Sequence, residues 1–342
     1  YEKSINVTLS SDDENVKIYY TTDGSTPNLN STLYDGPIKI SSGNVSIKAF
    51  AINDAGLISD ELILEYSVNT SNQYVDFADE KMEQLIRREV NIYNKAIYPA
   101  ELEKVTSLSN LDSNGQRIQG DIESLKDMLT RFTEFEKLEY LNLDSNNISD
   151  IEFIKEIKGL IGLSLANNAI TELSPLEDLL SLAELDISNN AFNSITVLQK
   201  LYLIKDLNLS GNSLKDLNNL AVNTKIENLD VSNCNMKSLS GVKRLTSLKR
   251  LNASNNSITD FGDIKSLTSL EYINLSKNNI SSVSFAENLS VKELDLSGNS
   301  IKNIKPIQKT KNLQNLNLSD NNISNIEYLA ELSELSVLNI SN

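Results

Sequence analysis

The residues that could carry out covalent chemistry in this chain of 342 residues are few. The sequence contains a single cysteine, Cys234, within LDVSNCNMKSL, and no histidine. A cysteine attacks substrates or binds metals as its thiolate, which enzymes generate beside a histidine or another cation. The lack of histidine excludes Ser-His-Asp and Cys-His mechanisms and all His-ligated metal sites. Only carboxylate, lysine, tyrosine or serine chemistry remains for an enzyme.

A repeat of 22 residues organises the chain from residue 138 onwards. The pattern L-x-x-L-x-L-x-x-N-x-I begins at positions 138, 160, 182, 204, 226, 248, 270, 291, 313 and 335, with one spacing of 21 and an incomplete tenth copy. This is the pattern of a leucine-rich repeat. Each L-x-L segment is expected to form a short strand that pairs in parallel with the next strand. The sequence therefore predicts a solenoid with a parallel β-sheet on its concave face.

Apolar residues beyond the repeat asparagine recur at a different spacing. In the sixth repeat they are Ile258, Phe261, Ile264 and Leu267, three residues apart. Three residues per turn is the period of a 3₁₀-helix. We therefore expect short 3₁₀ turns on the convex face.

The ninth position of the repeat places Cys234 in a structural column. The column reads Asn146, Asn168, Asn190, Asn212, Cys234, Asn256, Asn278, Asn299 and Asn321. Stacked repeats bring these side chains into an internal ladder, where each is expected to satisfy backbone groups at the turn away from the sheet. Cysteine is a known alternative at this position. We interpret Cys234 as a member of this ladder, with a reactive thiol as the alternative.

Residues that alternate with the strand leucines are predicted to face the concave side. These residues form two columns that run across the strands, one on each side of the first leucine of the L-x-L segment. Strands about 4.8 Å apart give this face a length of roughly 45 Å, which is enough for a protein interface. The candidate ligand-binding residues are Tyr140, Glu184, Asp186, Asp206, Asp230, Arg250 and Tyr272. Tyrosine and arginine are enriched in binding hot spots, and the acidic residues could receive a basic partner. The alternative interpretation is a solvated surface with repeat-consensus side chains.

Paired carboxylates such as Glu184 and Asp206 could in principle support glycoside hydrolysis. Open neighbouring strands, however, offer no pocket that would desolvate a general acid and raise its pKa. The fragment DSNGQ at 112–116 resembles the start of a calcium loop but lacks the later ligands. We therefore expect no catalytic residue, no cofactor and no metal site.

Charge excludes further classes of partner. The chain carries 31 basic and 47 acidic residues, a net charge of −16 that is spread over its length. Nucleic acid and anionic membrane need concentrated positive charge, so neither is an expected partner. No apolar run of about 18 residues is present, so no membrane insertion is expected.

The first 137 residues contain two segments whose sequence patterns differ from the repeat. In residues 1–69, short β-branched and aromatic runs alternate with turn sequences such as DGSTPN, which predicts a small immunoglobulin-like β-sandwich. A linker is expected at 69–73. In residues 70–137, Met82, Leu85, Ile86 and Val90 lie at helical spacing with Asp79 as N-cap, and PAELEKV and IESLKDMLTRFTEF predict two further helices. We interpret residues 70–137 as a helical N-terminal cap with a degenerate first repeat, followed by the repeats at 138–342.

Two resemblances follow from these motifs. The segment IYYTTDGSTPNLNSTLYDGPIKI, with Tyr20, Thr21, Asp23, Gly24 and Pro27, resembles the chitobiase C-terminal-like module associated with fibronectin type III domains. The repeats and FADEKMEQLIRREV resemble the internalin-type leucine-rich repeat proteins of Gram-positive bacteria, whose immunoglobulin-like domain commonly follows the repeats instead of preceding them.

The internalin resemblance implies an extracellular, adhesin-like protein on the bacterial surface or secreted, with a role in virulence. Its concave face would bind a protein ligand, often from a host. The alternative is a glycan-binding or spacer fragment of a larger surface protein. A glycan site would need exposed aromatic residues, for which Tyr19, Tyr20 and Tyr34 are the candidates.

Overall fold

The computed structural model describes residues 5–13, 16–41, 43–68, 75, 77, 80–109, 137–220, 222–262, 264–287 and 289–341. The chain divides into two compact units. The first comprises Tyr1–Phe77 with Val90–Lys104, and the second comprises Ala78–Glu89 with Val105–Asn342. The 69–73 linker, the N-cap Asp79, the DSNGQ fragment and the IESLKDMLTRFTEF helix lie outside the described residues.

Two antiparallel sheets build the first unit. Their strands are β1 (Ile5–Val7), β2 (Val16–Thr21), β3 (Thr32–Leu33), β4 (Ile38–Ile40), β5 (Gly43–Asn53) and β6 (Leu62–Val68). One sheet pairs β1 with β4, and the other has the order β3-β2-β5-β6. Alternate residues of both sheets point inward and form one core: Val7, Leu9, Ile38, Ile40, Ile47, Ala49 and Val68. The predicted β-sandwich is therefore present.

The region between the sandwich and the regular repeats agrees with the prediction in part. Its described part contains α1 (Glu80–Val90), the four-residue α2 (Pro99–Leu102) and a strand, β7 (Ser107–Ser109). Leu85 and Ile86 of α1 are buried, as their helical spacing predicts. β7 pairs in parallel with the first regular repeat strand and so begins the sheet, as expected of the degenerate first repeat. A helical N-terminal cap is not evident in the described part of this region. No helix among the described residues could cross a membrane.

Eleven short parallel strands form the concave face of the second unit. After β7 they are β8 (Tyr140–Asn142), β9 (Gly162–Ser164), β10 (Glu184–Asp186), β11 (Asp206–Asn208), β12 (Asn228–Asp230), β13 (Arg250–Asn252), β14 (Tyr272–Asn274), β15 (Glu293–Asp295), β16 (Asn315–Asn317) and β17 (Val337–Asn339). They pair in sequence order, and equivalent repeat positions lie side by side throughout. The leucine-rich repeat solenoid is thus confirmed.

Short 3₁₀-helices return the chain along the convex side, as the three-residue spacing predicts. They span Glu152–Glu156, Ser174–Leu176, Thr196–Lys200, Asn218–Leu220, Val242–Arg244, Ile264–Ser266, Ser284–Ala286, Lys305–Lys309 and Glu327–Glu331. Each contributes at least one buried apolar side chain to the core between the two faces, for example Leu198 and Ile307. Because the core is continuous, each repeat is stabilised by its neighbours.

The ladder asparagines fasten one repeat to the next. Asn256 is typical: its Nδ2 donates to the carbonyls of Ala253 and Ser254 in its own repeat and of Val231 in the preceding one, at 2.9–3.1 Å. Its Oδ1 accepts the backbone N–H groups of Cys234 and Met236, both at 2.9 Å. One amide therefore satisfies five backbone groups where the chain leaves the sheet.

The other ladder positions repeat this geometry in their essentials. Six further ladder amides each donate to three backbone carbonyls, one of them in the preceding repeat. They belong to Asn168, Asn190, Asn212, Asn278, Asn299 and Asn321. Asn146, at the start of the column, donates to the carbonyl of Asp144 and gives its own N–H to Asn168.

The residue before each ladder position adopts a left-handed backbone. These residues are Ser145, Asn167, Asn189, Gly211, Asn233, Asn255, Lys277, Gly298 and Asp320, with φ between 51° and 70°. Glycine, asparagine and aspartate tolerate this conformation best, which explains seven of the nine residues; Ser145 and Lys277 are the exceptions. At Gly211 a Cβ would lie 2.1 Å from Asn189 Oδ1, so close stacking adds a steric reason for glycine.

We predict that Asn256→Ala lowers the free energy of unfolding by about 2–4 kcal/mol, because several buried backbone groups lose their partners at once. A urea denaturation curve followed by circular dichroism measures the change. The matched control is Asn193→Ala, at an exposed asparagine outside the ladder, which should shift stability by no more than about 0.5 kcal/mol. Equal effects of the two substitutions would contradict a fastening role.

Candidate functional site

A groove of about 750 Å³ follows the concave sheet from β7 to β14. Residues from both outward-facing columns line it, including all seven ligand-binding candidates. The outer column contains the first residue of each strand, among them Tyr140, Glu184 and Arg250, whereas the inner column contains the third residue, such as Asp186. The two columns differ in how far their polar atoms are already used.

The inner-column carboxylates stabilise the solenoid backbone through hydrogen bonds. Asp186 accepts the N–H of Ser188 at 2.9 Å with one oxygen and the Nδ2 of Asn208 at 2.9 Å with the other. Asp230 bonds in the same way to Ser232 N–H at 2.8 Å and to Asn252 Nδ2 at 2.8 Å. Both oxygens of each carboxylate therefore stabilise the turn after the strand and the adjacent strand.

Outer-column carboxylates are more available. Glu184 and Asp206 lie directly opposite each other on β10 and β11, and both are exposed. Asp206 accepts a hydrogen bond from Asn228 Nδ2. Glu184 has no hydrogen-bond or ion-pair partner among the described residues. Of the four acidic candidates, Glu184 and Asp206 are thus the ones placed to contact a ligand.

Tyr140 lies across a gap in the outer column. The next position along the sheet is Gly162, and a Cβ added there would lie 2.5 Å from Cδ1 and 2.9 Å from Cε1 of Tyr140. The tyrosine ring can lean over β9 only because this position has no side chain. Tyr140 remains 41% exposed, so the ring forms part of the groove wall.

A second aromatic group closes the other end of the groove. The guanidinium carbon of Arg250 lies 4.2 Å from the centroid of the Tyr272 ring, a cation–π contact between adjacent strands. The contact orders a flexible cation on a rigid ring before any ligand arrives. Sequence reasoning identified both residues but missed the glycine gap at Gly162 and the two serines, Ser107 and Ser109, that extend the groove onto β7. The lack of a side chain at 162 in a column of large residues was the available signal.

Comparisons with known proteins agree with this architecture. The family model of the chitobiase/beta-hexosaminidase C-terminal domain matches residues 1–61. Leucine-rich repeat models match residues 137–157, 246–288 and 289–331. Among solved structures, the internalin InlF of Listeria monocytogenes is 28% identical with a TM-score of 0.66, over 77% of this chain and 76% of that chain. The chain thus contains leucine-rich repeats and is similar in sequence and structure to an internalin, so it is called internalin-like.

More distant structures share the fold of the internalin-like chain. The functional domain of InlJ from Listeria monocytogenes, described as including a cysteine ladder, is 19% identical with a TM-score of 0.57, over 78% of this chain and 60% of that chain. A plant peptide hormone receptor, RGFR1, in complex with RGF2, is 16% identical with a TM-score of 0.54, over 71% and 40%. No curated protein matches the sequence. Proteins of the leucine-rich repeat fold generally bind or scaffold other molecules.

Cys234 of the internalin-like chain lies in the ladder, away from the groove. It is fully buried, and its Sγ lies 3.3 Å from the carbonyl oxygens of Leu209 and Ser232, so the thiol can donate to either of the groups that an asparagine amide would otherwise reach. The backbone N–H of Leu214 bonds to the carbonyl of Cys234 at 3.1 Å, so the shorter side chain leaves this donor satisfied. Burial raises the pKa of the Cys234 thiol to about 11. No group of three or more potential metal-ligating side chains occurs among the described residues.

We predict that the Cys234 thiol of the folded protein is inert. At pH 8 a pKa of about 11 leaves roughly one thiol in 1,000 ionised, and burial blocks access to it. Reaction with a chromogenic disulfide reagent should therefore be at least about 100-fold slower in the native protein than in the urea-unfolded protein. Cys234→Asn supplies the blank. Rapid stoichiometric labelling of the native protein would show that the thiol is accessible and would reopen a reactive role.

Proposed function

We propose that the internalin-like chain is a non-enzymatic binding protein that recognises a protein ligand with its concave face. The observation that carries this proposal is the groove between β7 and β14, which combines exposed aromatic, acidic and basic side chains on a rigid sheet. Tyr140, Arg250 and Tyr272 are of the residue types that dominate binding hot spots. The groove is open along its length, which suits a protein segment better than a small substrate that must be desolvated for catalysis.

The location and the wider role belong to the same proposal. Similarity to InlF supports an extracellular, adhesin-like protein, displayed on a bacterial surface or secreted. A protein of a host is the class of ligand that such a location favours. We further propose the domain limits 1–69 for the sandwich, 70–137 for the segment before the regular repeats and 138–342 for the repeats, with the sandwich as a spacer.

The first unit offers a second candidate function, glycan binding. Tyr19 and Phe50 stack on each other across β2 and β5, with centroids 5.7 Å apart and planes inclined by 22°. Both are partly exposed, and Leu33, paired with Tyr19, is also exposed. The outward side of this ring pair could pack against the apolar face of a sugar ring.

The other two aromatic candidates of this unit pack against the sandwich core instead. Tyr20 and Tyr34 pack against the sandwich core in an edge-to-face pair, with centroids 6.3 Å apart. The Tyr34 hydroxyl accepts the N–H of Leu9 at 3.1 Å. Strand alternation explains the difference, because Tyr19 and Tyr20 point to opposite faces of the same strand.

The protein-ligand proposal predicts a partner that depends on the concave aromatic groups. The chain is screened against a library of host extracellular proteins, and each hit is measured with the variant Tyr140→Ala, Arg250→Ala, Tyr272→Ala. Loss of these three side chains should weaken binding by about 100-fold or more, since hot-spot truncations cost roughly 2 kcal/mol or more each. Biolayer interferometry gives the dissociation constants.

The matched control changes Tyr202 and Arg244, which are exposed and lie outside the groove, to Ala. This control should bind within about twofold of the wild type. A partner whose affinity falls equally in both variants, or in neither, would place the binding surface elsewhere and contradict the proposal. A folded chain with no partner in the library would contradict it as well.

The glycan alternative predicts that Tyr19→Ala and Phe50→Ala abolish retention on a glycan array, whereas Tyr202→Ala does not. Loss of a stacking ring removes roughly 1 kcal/mol or more from a weak interaction, which is enough to eliminate a signal on an array. Arrays that show no signal with the wild type would reject this candidate and leave the sandwich as a spacer.

A further inference from the structure

A three-residue notch lies within the groove, where Tyr140, Gly162 and Glu184 occupy the outer column of three adjacent strands. The point at which a Cβ of residue 162 would sit is 2.5 Å from the Tyr140 ring and 3.7 Å from Oε2 of Glu184. The ring and the carboxylate therefore flank the same point from opposite sides. The Tyr140 ring leans into the space that a side chain at 162 would take, so the ring and the Glu184 carboxylate lie close together on the wall of the groove.

The charge around this notch is negative and largely unopposed. Among the described residues that line the groove, four carry carboxylates and one, Arg250, is basic. Two of the four, Asp186 and Asp230, have both oxygens hydrogen-bonded within the solenoid. Arg250 lies on β13, three strands from Glu184, which is about 14 Å at 4.8 Å per strand. That distance exceeds the Debye length of about 8 Å at physiological salt, so Arg250 does not neutralise Glu184.

An aromatic ring beside an unpaired carboxylate is a recognition site for an organic cation. The ring face attracts the cation through its quadrupole, and the carboxylate accepts charge-assisted hydrogen bonds from it. Arginine suits such a site better than lysine, because its planar guanidinium stacks on a ring and donates in a fork to a carboxylate. A metal ion fits less well, since no cluster of three potential ligands occurs in the described part of the chain.

We infer that the notch formed by Tyr140, Gly162 and Glu184 is the anchor subsite for an arginine side chain of the protein ligand, with Asp206 on the next strand as a second acceptor. This inference rests on the proposed function, since it specifies which side chain of a concave-face ligand is recognised. The ligand is thus a protein that presents an exposed arginine to the N-terminal half of the repeat sheet. Acidic segments would be repelled from the same half.

A displayed library of random nine-residue peptides tests the inference with the full chain as bait. An extended nonapeptide spans about 30 Å, close to the distance from β8 to β14. Peptides that contain arginine should be enriched. In each enriched peptide arginine is then replaced by citrulline, which keeps the shape but removes the charge. The replacement should weaken binding to the wild type by about 10- to 100-fold.

Variants of the chain locate the effect. With Glu184→Gln, the arginine and citrulline peptides should bind within about twofold of each other. Gly162→Ala, which brings a methyl group against the Tyr140 ring, should weaken the arginine peptide by about tenfold or more. The control Glu293→Gln, in the same column but outside the groove, should retain the full preference for arginine.

The outcomes separate this inference from the proposed function. Enrichment without arginine, or a citrulline effect that Glu184→Gln leaves unchanged, overturns the arginine subsite while concave-face binding stands. Absence of any enriched peptide overturns the subsite as well, because arginine peptides are abundant in the library. Concave-face binding itself is judged by the protein screen with the Tyr140, Arg250 and Tyr272 variant.

Discussion

Each time the chain leaves the sheet, it must bury backbone donors and acceptors that no strand or helix can satisfy. An unpaired buried backbone group costs about 1–3 kcal/mol, so a solenoid with nine such turns could not tolerate them. The asparagine ladder removes this cost, because one amide provides donors and acceptors to its own repeat and to the preceding one. The period of 22 residues is the spacing between successive ladder positions, each of which satisfies one such turn.

The ladder also determines what the concave face can present. A left-handed residue precedes each ladder position, and the strand precedes that residue, so the register of every strand is tied to the ladder. Inner-column side chains are drawn into the same network: Asp186 and Asp230 cap their own turns and bond to the next strand. Outer-column side chains lie two residues earlier in each strand, further from the ladder turn, and make few such hydrogen bonds. Side chains that are free to recognise a ligand are therefore concentrated in the outer column.

This division explains what could be predicted from the sequence. The solenoid, its 3₁₀ turns and the place of Cys234 follow from spacing, because spacing determines which residues stack. The difference between Asp186 and Glu184 could not be predicted from spacing. It depends on whether the adjacent strand places a side-chain amide within hydrogen-bond distance, as Asn208 does for Asp186. The notch at Gly162 depends on how the Tyr140 ring leans, which periodicity does not encode. A helical cap is not evident in the described part of 70–137, where β7 begins the sheet as a degenerate first repeat would.

Net charge is a poor guide to this surface. The value of −16 is spread along the chain, and much of the acidity on the repeats is paired between adjacent turns, as in Glu227–Lys249 and Glu271–Lys292. These exposed pairs cancel locally and contribute little to stability. A field that a ligand can sense arises only where a carboxylate lacks such a neighbour and the wall beside it is apolar. Glu184 meets both conditions, with Tyr140 on one side of the glycine gap, which is why the proposed arginine subsite lies there and not at one of the paired acids.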